Sequence, residues 1–447
     1  MKRTLQIVAS LLILFLILAV YFNYPKLNFI TGFAAKSVCS CTFIADRELT
    51  SVETQDNDFS PIFYAKNKID FKEKSVTSTV FGLKPRTAIY KAGLGCILVP
   101  EGSNANTLRL QPERTITPKA LPFPYGNLPQ KDTIFKNIDY EALQNAVESA
   151  FDKNGEKVKR SRAVLVVYKD HIIAEKYADG FTKNTKILGW SMTKSITSAI
   201  VGVLDKQGRI NRNQSNLFEA WKNDQRSKIT LNNLLQMNSG LAWEEDYSKI
   251  SDVTKMLFLK PNMPNIQLEK PLIAEPNTNW NYSSGTTNLI SGFIVNQFKS
   301  QQDYLNFWYA ELIDKIGMHS MTIETDLEGH FVGSSYGWAT ARDWSKFGLL
   351  YLHDGNWNGE QILTTDWINY TKTPTPTSNG EYGAQFWLNA GGHYPDVTKD
   401  LFSCNGYQGQ KISIVPSKDV VIVRFGLIEE PLFDFNRFLS EVLSAIH

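Results

Sequence analysis

Strand-like runs lie at both ends of the longer, C-terminal part of this chain, and the pattern between them is mostly helical. The four runs, paired across the turn residues that separate them, are residues 163–168 with 172–177 and residues 411–415 with 420–424. Short apolar runs bounded by turn residues are typical of β-hairpins. Because helical patterns fill most of the chain from Ser191 to about Trp367, the two ends are expected to share a sheet. We therefore predict an α+β fold, with one antiparallel sheet, flanking helices and an inserted helical subdomain.

Changes in composition divide the remaining chain into further parts. Residues 25–110 contain short strand-like runs between glycines and charged turns, which predicts a small N-terminal domain of α+β or mostly β structure. Five prolines lie within residues 111–130. Proline at that density blocks helices and central strands, so we predict an extended linker there. Residues 131–447 are the large domain, with outer helices predicted at 139–151 and 433–446.

The first part, residues 1–24, has a basic end followed by an apolar stretch. Lys2 and Arg3 precede residues 5–22, which as a helix would be about 27 Å long, close to the thickness of a bilayer core. No Ala-x-Ala cleavage pattern follows, so an uncleaved membrane anchor is favoured over a cleaved signal segment. Either alternative implies export, with the protein anchored and facing the periplasm or cell surface, or secreted after cleavage.

Export makes the four cysteines candidates for disulfides. Cys39 or Cys41 is predicted to pair with Cys96, because all three lie in the N-terminal part and a bridge there would staple a small domain. The alternative is that these residues and Cys404 are free thiols. Neither the cysteines nor the six histidines have the spacing of a metal site, and no cofactor is expected.

A Ser-x-x-Lys motif at residues 191–194 can place a nucleophile and a base on one face of a helix. Residues three apart on a helix are neighbours, with Cβ atoms roughly 5–6 Å apart. A helix is predicted here because apolar residues recur at spacings of three and four as far as Leu204, and Gly208 can end it. A free lysine is protonated at neutral pH, so burial or a neighbouring cation has to lower the pKa of Lys194 before it can accept a proton from Ser191.

Four further stretches follow this motif in a fixed order. They are residues 229–241, residues 280–285 with Tyr282, residues 336–344, and residues 406–410 before a strand. Together the five stretches resemble the serine β-lactamase and penicillin-binding-protein superfamily, in its class C-like branch with the 6-aminohexanoate-dimer hydrolases and related esterases. The resemblance covers roughly residues 135–447. It implies a β-lactamase/transpeptidase-like fold for the large domain and a serine hydrolase that acts through an acyl-enzyme.

The resemblance also implies roles for individual residues. Ser191 would be the nucleophile, and Lys194 with Tyr282 would be the general base and acid. A neighbouring lysine would favour the Tyr282 phenolate, and which member of the pair takes the proton stays open. The backbone N–H groups of Ser191 and Gln410 would form the oxyanion hole.

Substrate contacts are expected from residues around this centre. The expected contacts are Trp190, Ser284, Tyr407 and Gly409, with Trp280 and residues 386–387 as further walls of an apolar cleft. Gly409 would let the substrate approach the strand closely. The acidic run at residues 243–246 is interpreted as a solvated loop that follows a helix end.

Two of these positions depart from the family's pattern. Ser284 stands where the family has the asparagine of Tyr-x-Asn, and Tyr407 stands where it has the lysine of Lys-Thr-Gly. Loss of that cation weakens any clamp on a substrate carboxylate, so a neutral or loosely anchored ester or amide is expected rather than a penicillin. A peptidoglycan-type peptidase or β-lactamase is the alternative enzyme, and a membrane-tethered, non-catalytic binding protein is the alternative of another class.

The overall charge excludes one class of partner. The chain has 47 basic and 45 acidic residues, a formal net charge of +2, without the basic footprint of a nucleic-acid-binding protein. The expected partners are therefore a small-molecule or short-peptide substrate and the membrane.

Overall fold

The computed structural model describes residues 2–104, 109–153 and 155–447. The α-helices of these residues are, in chain order, α1 Lys2–Asn23, α2 Leu27–Phe43, α3 Leu49–Thr54, α4 Tyr140–Ser149, α5 Thr193–Lys206, α6 Leu231–Leu235, α7 Asp252–Leu259, α8 Met263–Leu268, α9 Ser284–Val295, α10 Gln301–Trp308, α11 Ala341–Leu352, α12 Thr365–Thr371 and α13 Phe435–Ser444. The strands are β1 Ala65–Asp70, β2 Ser75–Val80, β3 Leu83–Lys91, β4 Gly95–Val99, β5 Ser161–Tyr168, β6 His171–Tyr177, β7 Ile187–Leu188, β8 Thr322–Ile323, β9 Gly337–Ala339, β10 Asn356–Trp357, β11 Glu360–Gln361, β12 Trp387–Leu388, β13 Phe402–Gly406, β14 Gln410–Val415 and β15 Val420–Gly426.

The main sheet is antiparallel and is built from both ends of the large domain, as predicted. Its strand order is β12-β13-β14-β15-β5-β6, and β15 pairs with β5 in the register Val420 to Tyr168. Every residue of β5 and of β15 is buried. Strands with such continuous apolar runs need cover on both faces, so the sheet lies between two layers of helices.

Each face of the sheet has its own core. On one face α11 packs against β14 and β15, and Gly348 allows the close approach, because a Cβ there would lie 2.7 Å from Val421 Cγ1. On the other face α4 and α13 pack against each other. Both outer helices begin at an aspartate cap, since the side chain of Asp139 accepts from Ala142 N and that of Asp434 from Arg437 N. The predicted helices at 139–151 and 433–446 are therefore present but shorter.

A second, three-stranded sheet in the order β7-β9-β8 lies within the helical region. Sequence patterns do not predict it, because its strands are two or three residues long. Its β7–β9 pairing is continued by Gly189, whose N–H donates to Gly337 O at 2.8 Å. The small sheet therefore supports the chain just before the Ser-x-x-Lys motif.

Residues 25–110 contribute α2, α3 and the four-stranded sheet β1-β2-β3-β4. Helix α2 packs against this sheet and against α7 of the large domain. Phe33 of α2 contacts Phe258 with ring centroids 5.1 Å apart, and both belong to a core that also contains Trp190. The boundaries of an N-terminal domain at residues 25–110 stay a prediction, and the core of this α+β unit is shared with the large domain.

A buried ion pair joins the two parts of the chain. Lys36 of α2 lies 2.6 Å from Glu324, and both side chains are nearly inaccessible. Glu324 also accepts from Ser40 Oγ at 2.8 Å, from Cys96 N at 2.7 Å and from Trp338 Nε1 at 2.8 Å. These donors satisfy the carboxylate in a site where an unpaired charge would be costly.

A disulfide joins Cys39 of α2 to Cys96 of β4. Of the two pairings left open by the sequence, this is the one that the structure contains. Cys41 and Cys404 are free and buried. Burial raises the pKa of the Cys41 thiol to about 12, so this residue is a structural thiol rather than a reactive one.

The predicted anchor at residues 1–24 lies mostly in α1. None of the helices in the described part of the chain is both long and apolar enough to cross a membrane.

The proline-rich stretch at residues 111–130 has no helix or strand, and its role as a linker stays a prediction. It follows the surface of the large domain. Arg114 pairs with Asp314 at 2.5 Å, and the hydroxyl of Tyr125 donates to Asp170 at 2.7 Å. The stretch is therefore held to the large domain by specific contacts.

Candidate active site

Ser191 lies on a tight turn that leads into α5. Trp190–Met192 form one turn of 3-10 helix, and Trp190 has a φ of +48°. Gly189 allows this turn to sit against the core, because a Cβ there would lie 2.4 Å from Trp344 Cζ2. The predicted helix is present, and the turn before it places Ser191 at its N-terminal end, where backbone N–H groups are unpaired.

Lys194 Nζ lies 2.8 Å from Ser191 Oγ. Its two other partners are Ser284 Oγ at 2.8 Å and the carbonyl oxygen of Ser334 at 3.0 Å. Only 1% of Lys194 is exposed. Burial lowers the pKa of Lys194 to about 8, and the charge of Glu245 opposes this shift. A substantial fraction of Lys194 is therefore neutral near pH 8, and a neutral amine can act as a base.

Tyr282 lies against Lys194, with Nζ 4.8 Å from the ring centroid. Burial and the charge of Glu245 raise the pKa of Tyr282 well above its ordinary value. A hydrogen bond with Ser191 lowers the pKa, but by less than burial raises it. The expectation that the phenolate is favoured beside Lys194 is therefore wrong, because burial disfavours the charged form of the phenol. Tyr282 stays protonated and can donate a hydrogen bond or a proton.

Glu245 is a member of the site that the sequence analysis missed. Its Oε1 accepts from Ser284 Oγ at 2.5 Å, and its Oε2 accepts from Ser284 N at 2.9 Å and from Trp243 Nε1 at 2.5 Å. Ser284 begins α9, so the carboxylate also sits at a helix N-terminus, where negative charge is stabilised. The interpretation of residues 243–246 as a solvated loop is wrong for Glu245. One feature of the sequence could have indicated this contact. Two aromatic residues, Trp243 and Tyr247, flank the acidic residues 244–246 and can anchor them in the core.

Ser284 is enclosed rather than open to substrate. It is fully buried and does not line the cleft beside Ser191. Its hydroxyl bridges Lys194 and Glu245. The expected substrate contact at Ser284 is therefore corrected to a link between two ionisable side chains, because the start of α9 lies beneath the cleft.

The turn between β13 and β14 brings the expected oxyanion strand close to Ser191. A Cβ at Gly406 would lie 2.1 Å from Gly189 O, so the end of β13 packs directly on the Ser191 turn. Gly409 has a φ of +76° and lies against Ile428 O. The side chain of Gln410 donates to Gly426 O at 2.6 Å and accepts from Gly426 N at 3.1 Å, which fixes the start of β14.

A cleft of about 630 Å³ opens over Ser191 and is lined by Tyr282, Glu245 and residues 406, 407, 409 and 410. Ser191 and Gln410 thus share this cleft, and the role of their N–H groups as oxyanion donors stays a prediction. Tyr407 and Gly409 line the cleft as expected.

The aromatic residues near the cleft divide into those that line it and those that support it. Trp387 and Tyr407 line it, whereas Trp190 and Trp280 do not. Tyr407 stacks on Tyr247 with centroids 4.8 Å apart, and Trp190 packs edge-on against Tyr407 at 5.5 Å. The expected substrate contact at Trp190 is therefore corrected to a support behind the wall, because its ring is held in the core shared with α2. Phe386 is fully buried in the core, since alternate residues of an extended segment point to opposite sides.

Carboxylates dominate the charge of the cleft. They are Glu245, Asp246, Glu381, Glu429 and Glu430, and the basic side chains in the lining are Lys411 and His393. Burial lowers the pKa of Lys411 to about 8, so its charge is partly lost just above neutral pH. A cleft of this charge disfavours an anionic substrate.

No group of three or more His, Cys, Asp or Glu side chains in the described residues could hold a metal ion.

Comparisons with known proteins support the fold of the large domain. Residues 147–434 match the model of the β-lactamase family. A protein described as a 6-aminohexanoate-dimer hydrolase from Bacillus anthracis is similar in structure, with a TM-score of 0.56 and 20% sequence identity over 68% of this chain and 81% of that chain.

Two further solved structures are similar at lower identity. A protein described as a β-lactamase from Bacteroides dorei has a TM-score of 0.54 and 17% identity, over 69% of this chain and 99% of that chain. A family VIII carboxylesterase has a TM-score of 0.53 and 14% identity, over 69% of this chain and 96% of that chain. At such identities the likeness is one of fold. The curated protein sequences contain no match.

Proposed function

Because the chain belongs to the β-lactamase family of serine hydrolases, we propose that it cleaves an ester or amide bond through an acyl-enzyme on Ser191. The observation that carries this proposal is the 2.8 Å contact between Ser191 Oγ and the Nζ of a buried lysine. A lysine with a pKa near 8 can take the proton that a serine has to lose when it attacks a carbonyl.

In the first step Lys194 is the base. The Ser191 O–H proton passes to Nζ while Oγ forms a bond to the carbonyl carbon, and the carbonyl π electrons move to its oxygen. The backbone N–H groups of Ser191 and Gln410 stabilise the oxyanion. Lys194 rather than Tyr282 is proposed as the base, because burial moves the pKa of the amine toward neutrality and that of the phenol away from it.

Collapse of the tetrahedral species restores the carbonyl and breaks the bond to the leaving group. Tyr282 donates its proton to the departing alcohol or amine, and the Lys194 ammonium, which lies against the same ring, returns a proton to the phenolate. Water then attacks the acyl-enzyme with Lys194 as base, and Ser191 leaves with the proton. Each group ends in its starting state, as turnover requires.

The proposed substrate is neutral or cationic rather than anionic. The acidic lining of the cleft supports this class, as does Tyr407 at the position of the family's lysine. One structural neighbour is described as a 6-aminohexanoate-dimer hydrolase and another as a carboxylesterase, and an ester and an amide are both kept as candidate substrates.

We also propose that the protein is exported. The Cys39–Cys96 disulfide supports this, because disulfides persist in oxidising compartments. Residues 1–24 would direct export, as a signal segment or as an anchor.

Replacement of the nucleophile tests the proposal. Ser191→Ala should abolish both ester hydrolysis and labelling by a fluorophosphonate probe, whereas Ser215→Ala, at an exposed serine outside the cleft, should retain both. Labelling that persists in Ser191→Ala would contradict the assignment. Capture of labelled penicillin at Ser191 in the wild-type protein would replace the proposed substrate class with that of a β-lactamase or peptidase.

A further inference from the structure

We infer that Glu245 is a positioning residue, which acts through the Ser284 hydroxyl to direct the lone pair of Lys194 at the Ser191 hydroxyl. The inference rests on the proposed function, in which Lys194 is the base. It concerns the direction of hydrogen bonds around Nζ, and it follows from the number of protons that each partner has to offer.

The orientation of the Glu245 carboxylate is fixed on one side by two donors. Its Oε2 receives the backbone N–H of Ser284 at 2.9 Å and the indole N–H of Trp243 at 2.5 Å. Neither donor can reverse its role. The other oxygen, Oε1, therefore accepts from the Ser284 hydroxyl at 2.5 Å, a distance typical of an O–H donor to a charged acceptor, and more distantly from the Tyr247 hydroxyl at 3.3 Å.

The Ser284 hydroxyl has a single proton, and the carboxylate holds it. The oxygen then has only lone pairs for Lys194 Nζ at 2.8 Å. The third neighbour of Nζ is the carbonyl oxygen of Ser334 at 3.0 Å, which is also an acceptor only. Two of the three partners of Lys194 thus require an N–H from it.

A neutral lysine amine has two N–H groups and one lone pair. Ser284 and Ser334 use the two N–H groups, so the lone pair points at the remaining partner, Ser191 Oγ. Its hydroxyl proton is the one that has to be removed. If Ser284 were free to rotate its own proton toward Nζ, it would occupy the lone pair and leave Ser191 without a base.

Glu245→Gln tests this direction while keeping the shape of the side chain. The amide oxygen has to remain at the Oε2 position, because the N–H groups of Ser284 and Trp243 both point there. The NH₂ group then faces Ser284 Oγ as a donor, so the Ser284 proton loses its acceptor and becomes free to turn toward Lys194. We expect kcat for an activated ester to fall by roughly 100-fold, within the range for loss of a general base, with KM changed by less than about threefold.

Glu244→Gln is the matched control. Glu244 is the adjacent residue, is exposed, and pairs with Lys249 outside the cleft lining. This variant should keep the wild-type kcat. An equal loss in both variants would overturn the inference, as would a wild-type kcat in Glu245→Gln.

The pH profile separates this role from a merely structural one. Lys194 acts as a base only when neutral, so kcat/KM rises with pH through its pKa, near 8 in the wild type. The charge of Glu245 raises the pKa of Lys194, so its removal should move the acid limb of the profile to lower pH while the plateau falls. An acid limb that does not move would contradict the inference.

A double-mutant cycle tests whether Glu245 acts through Ser284. Ser284→Ala alone should lower kcat, and Glu245→Gln should add little to it, because the link is already absent. Additive losses would overturn the inference. Fluorophosphonate labelling of wild-type Ser191 distinguishes failure of the proposed function from failure of this inference. If Ser191 is not labelled, the proposed function is wrong. If Ser191 is labelled and Glu245→Gln keeps the wild-type kcat, only the role of Glu245 is wrong. Circular dichroism melting curves verify that each variant is folded.

Discussion

Lys194 and Tyr282 share one environment but are affected by it in opposite directions. Burial lowers the pKa of the amine and raises that of the phenol, because in both cases the neutral form is favoured. At neutral pH the pair therefore consists of a lysine ammonium that loses its proton more readily than usual and a protonated phenol. In the proposed mechanism this separates base and acid between two residues that the sequence alone left interchangeable.

The protonated phenol leads to a prediction for Tyr282→Phe. An amine leaving group has to be protonated, whereas an activated phenolate does not, so amide hydrolysis should fall by roughly 100-fold and hydrolysis of an activated ester by less than about tenfold. The ratio of the two kcat/KM values measures this effect. Tyr382→Phe, at a ring that packs on Tyr282 outside the cleft lining, should leave the ratio unchanged. A parallel loss on both substrates would contradict a role as acid.

The individual site residues differ in how far they could be predicted. Ser191 and Lys194 are separated by one helical turn, and the motif states their proximity directly. Glu245 reaches Ser284 across 39 positions, and nothing in local spacing indicates that contact. An acidic run in a loop is normally solvated, and only the packing of Trp243 and Tyr247 turns one carboxylate inward.

At the scale of elements, the turn before α5 depends on close packing rather than on a helical pattern. Trp190 adopts a φ of +48°, which is uncommon for a residue with a side chain. The turn persists because Gly189 bonds to β9 and lies against Trp344, and because the end of β13 packs on it. Three elements thus determine the position of Ser191.

Gly189→Ala should therefore affect stability and activity together. The added methyl group would lie 2.4 Å from the Trp344 ring, and overpacking of this kind costs about 1–3 kcal/mol. We expect a lower Tm in thermal denaturation and a fall in kcat, because the turn that carries Ser191 has to move. An unchanged Tm with full activity would contradict this description of the turn.

Elements that are long enough to show a pattern of apolar residues could be predicted from the sequence, whereas elements of two or three residues could not. The two hairpins of the main sheet follow from apolar runs separated by turn residues, and α4 and α13 follow from their periodicity. Strands β7, β8 and β9 have too few residues to carry a pattern. They form because tertiary contacts bring distant segments together.

At the scale of the whole molecule, the disulfide lies where the N-terminal unit meets the large domain. Cys39 and Cys96 are separated by 57 positions, and Cys96 N donates to Glu324 of the large domain. Closing a loop of this length restricts the unfolded chain. The bridge is therefore expected to stabilise the fold in the oxidising compartment that export would provide.

Mass spectrometry of the protein from its native cells tests this expectation. The protein should be recovered outside the cytoplasm, and reduction of the disulfide should increase its mass by two hydrogen atoms. Reduction should also lower the free energy of unfolding by about 2–5 kcal/mol. The Cys39→Ser/Cys96→Ser variant should show the same lowered stability without a response to reductant. Recovery from the cytoplasm with four free thiols would contradict the proposed export.

Because Phe33 of α2 and Trp190 belong to one core, the large domain cannot be separated from the N-terminal unit without loss of shared contacts. Trp190 supports Tyr407 from behind, and α2 contributes to the same core as Trp190. A chain shortened to residues 131–447 would lack part of the core that contains Trp190 and would leave Glu324 without Lys36. The N-terminal unit, which lies outside the family match, thus supports one wall of the cleft. Substitutions in α2 therefore offer a route to altered selectivity in which no cleft residue is changed.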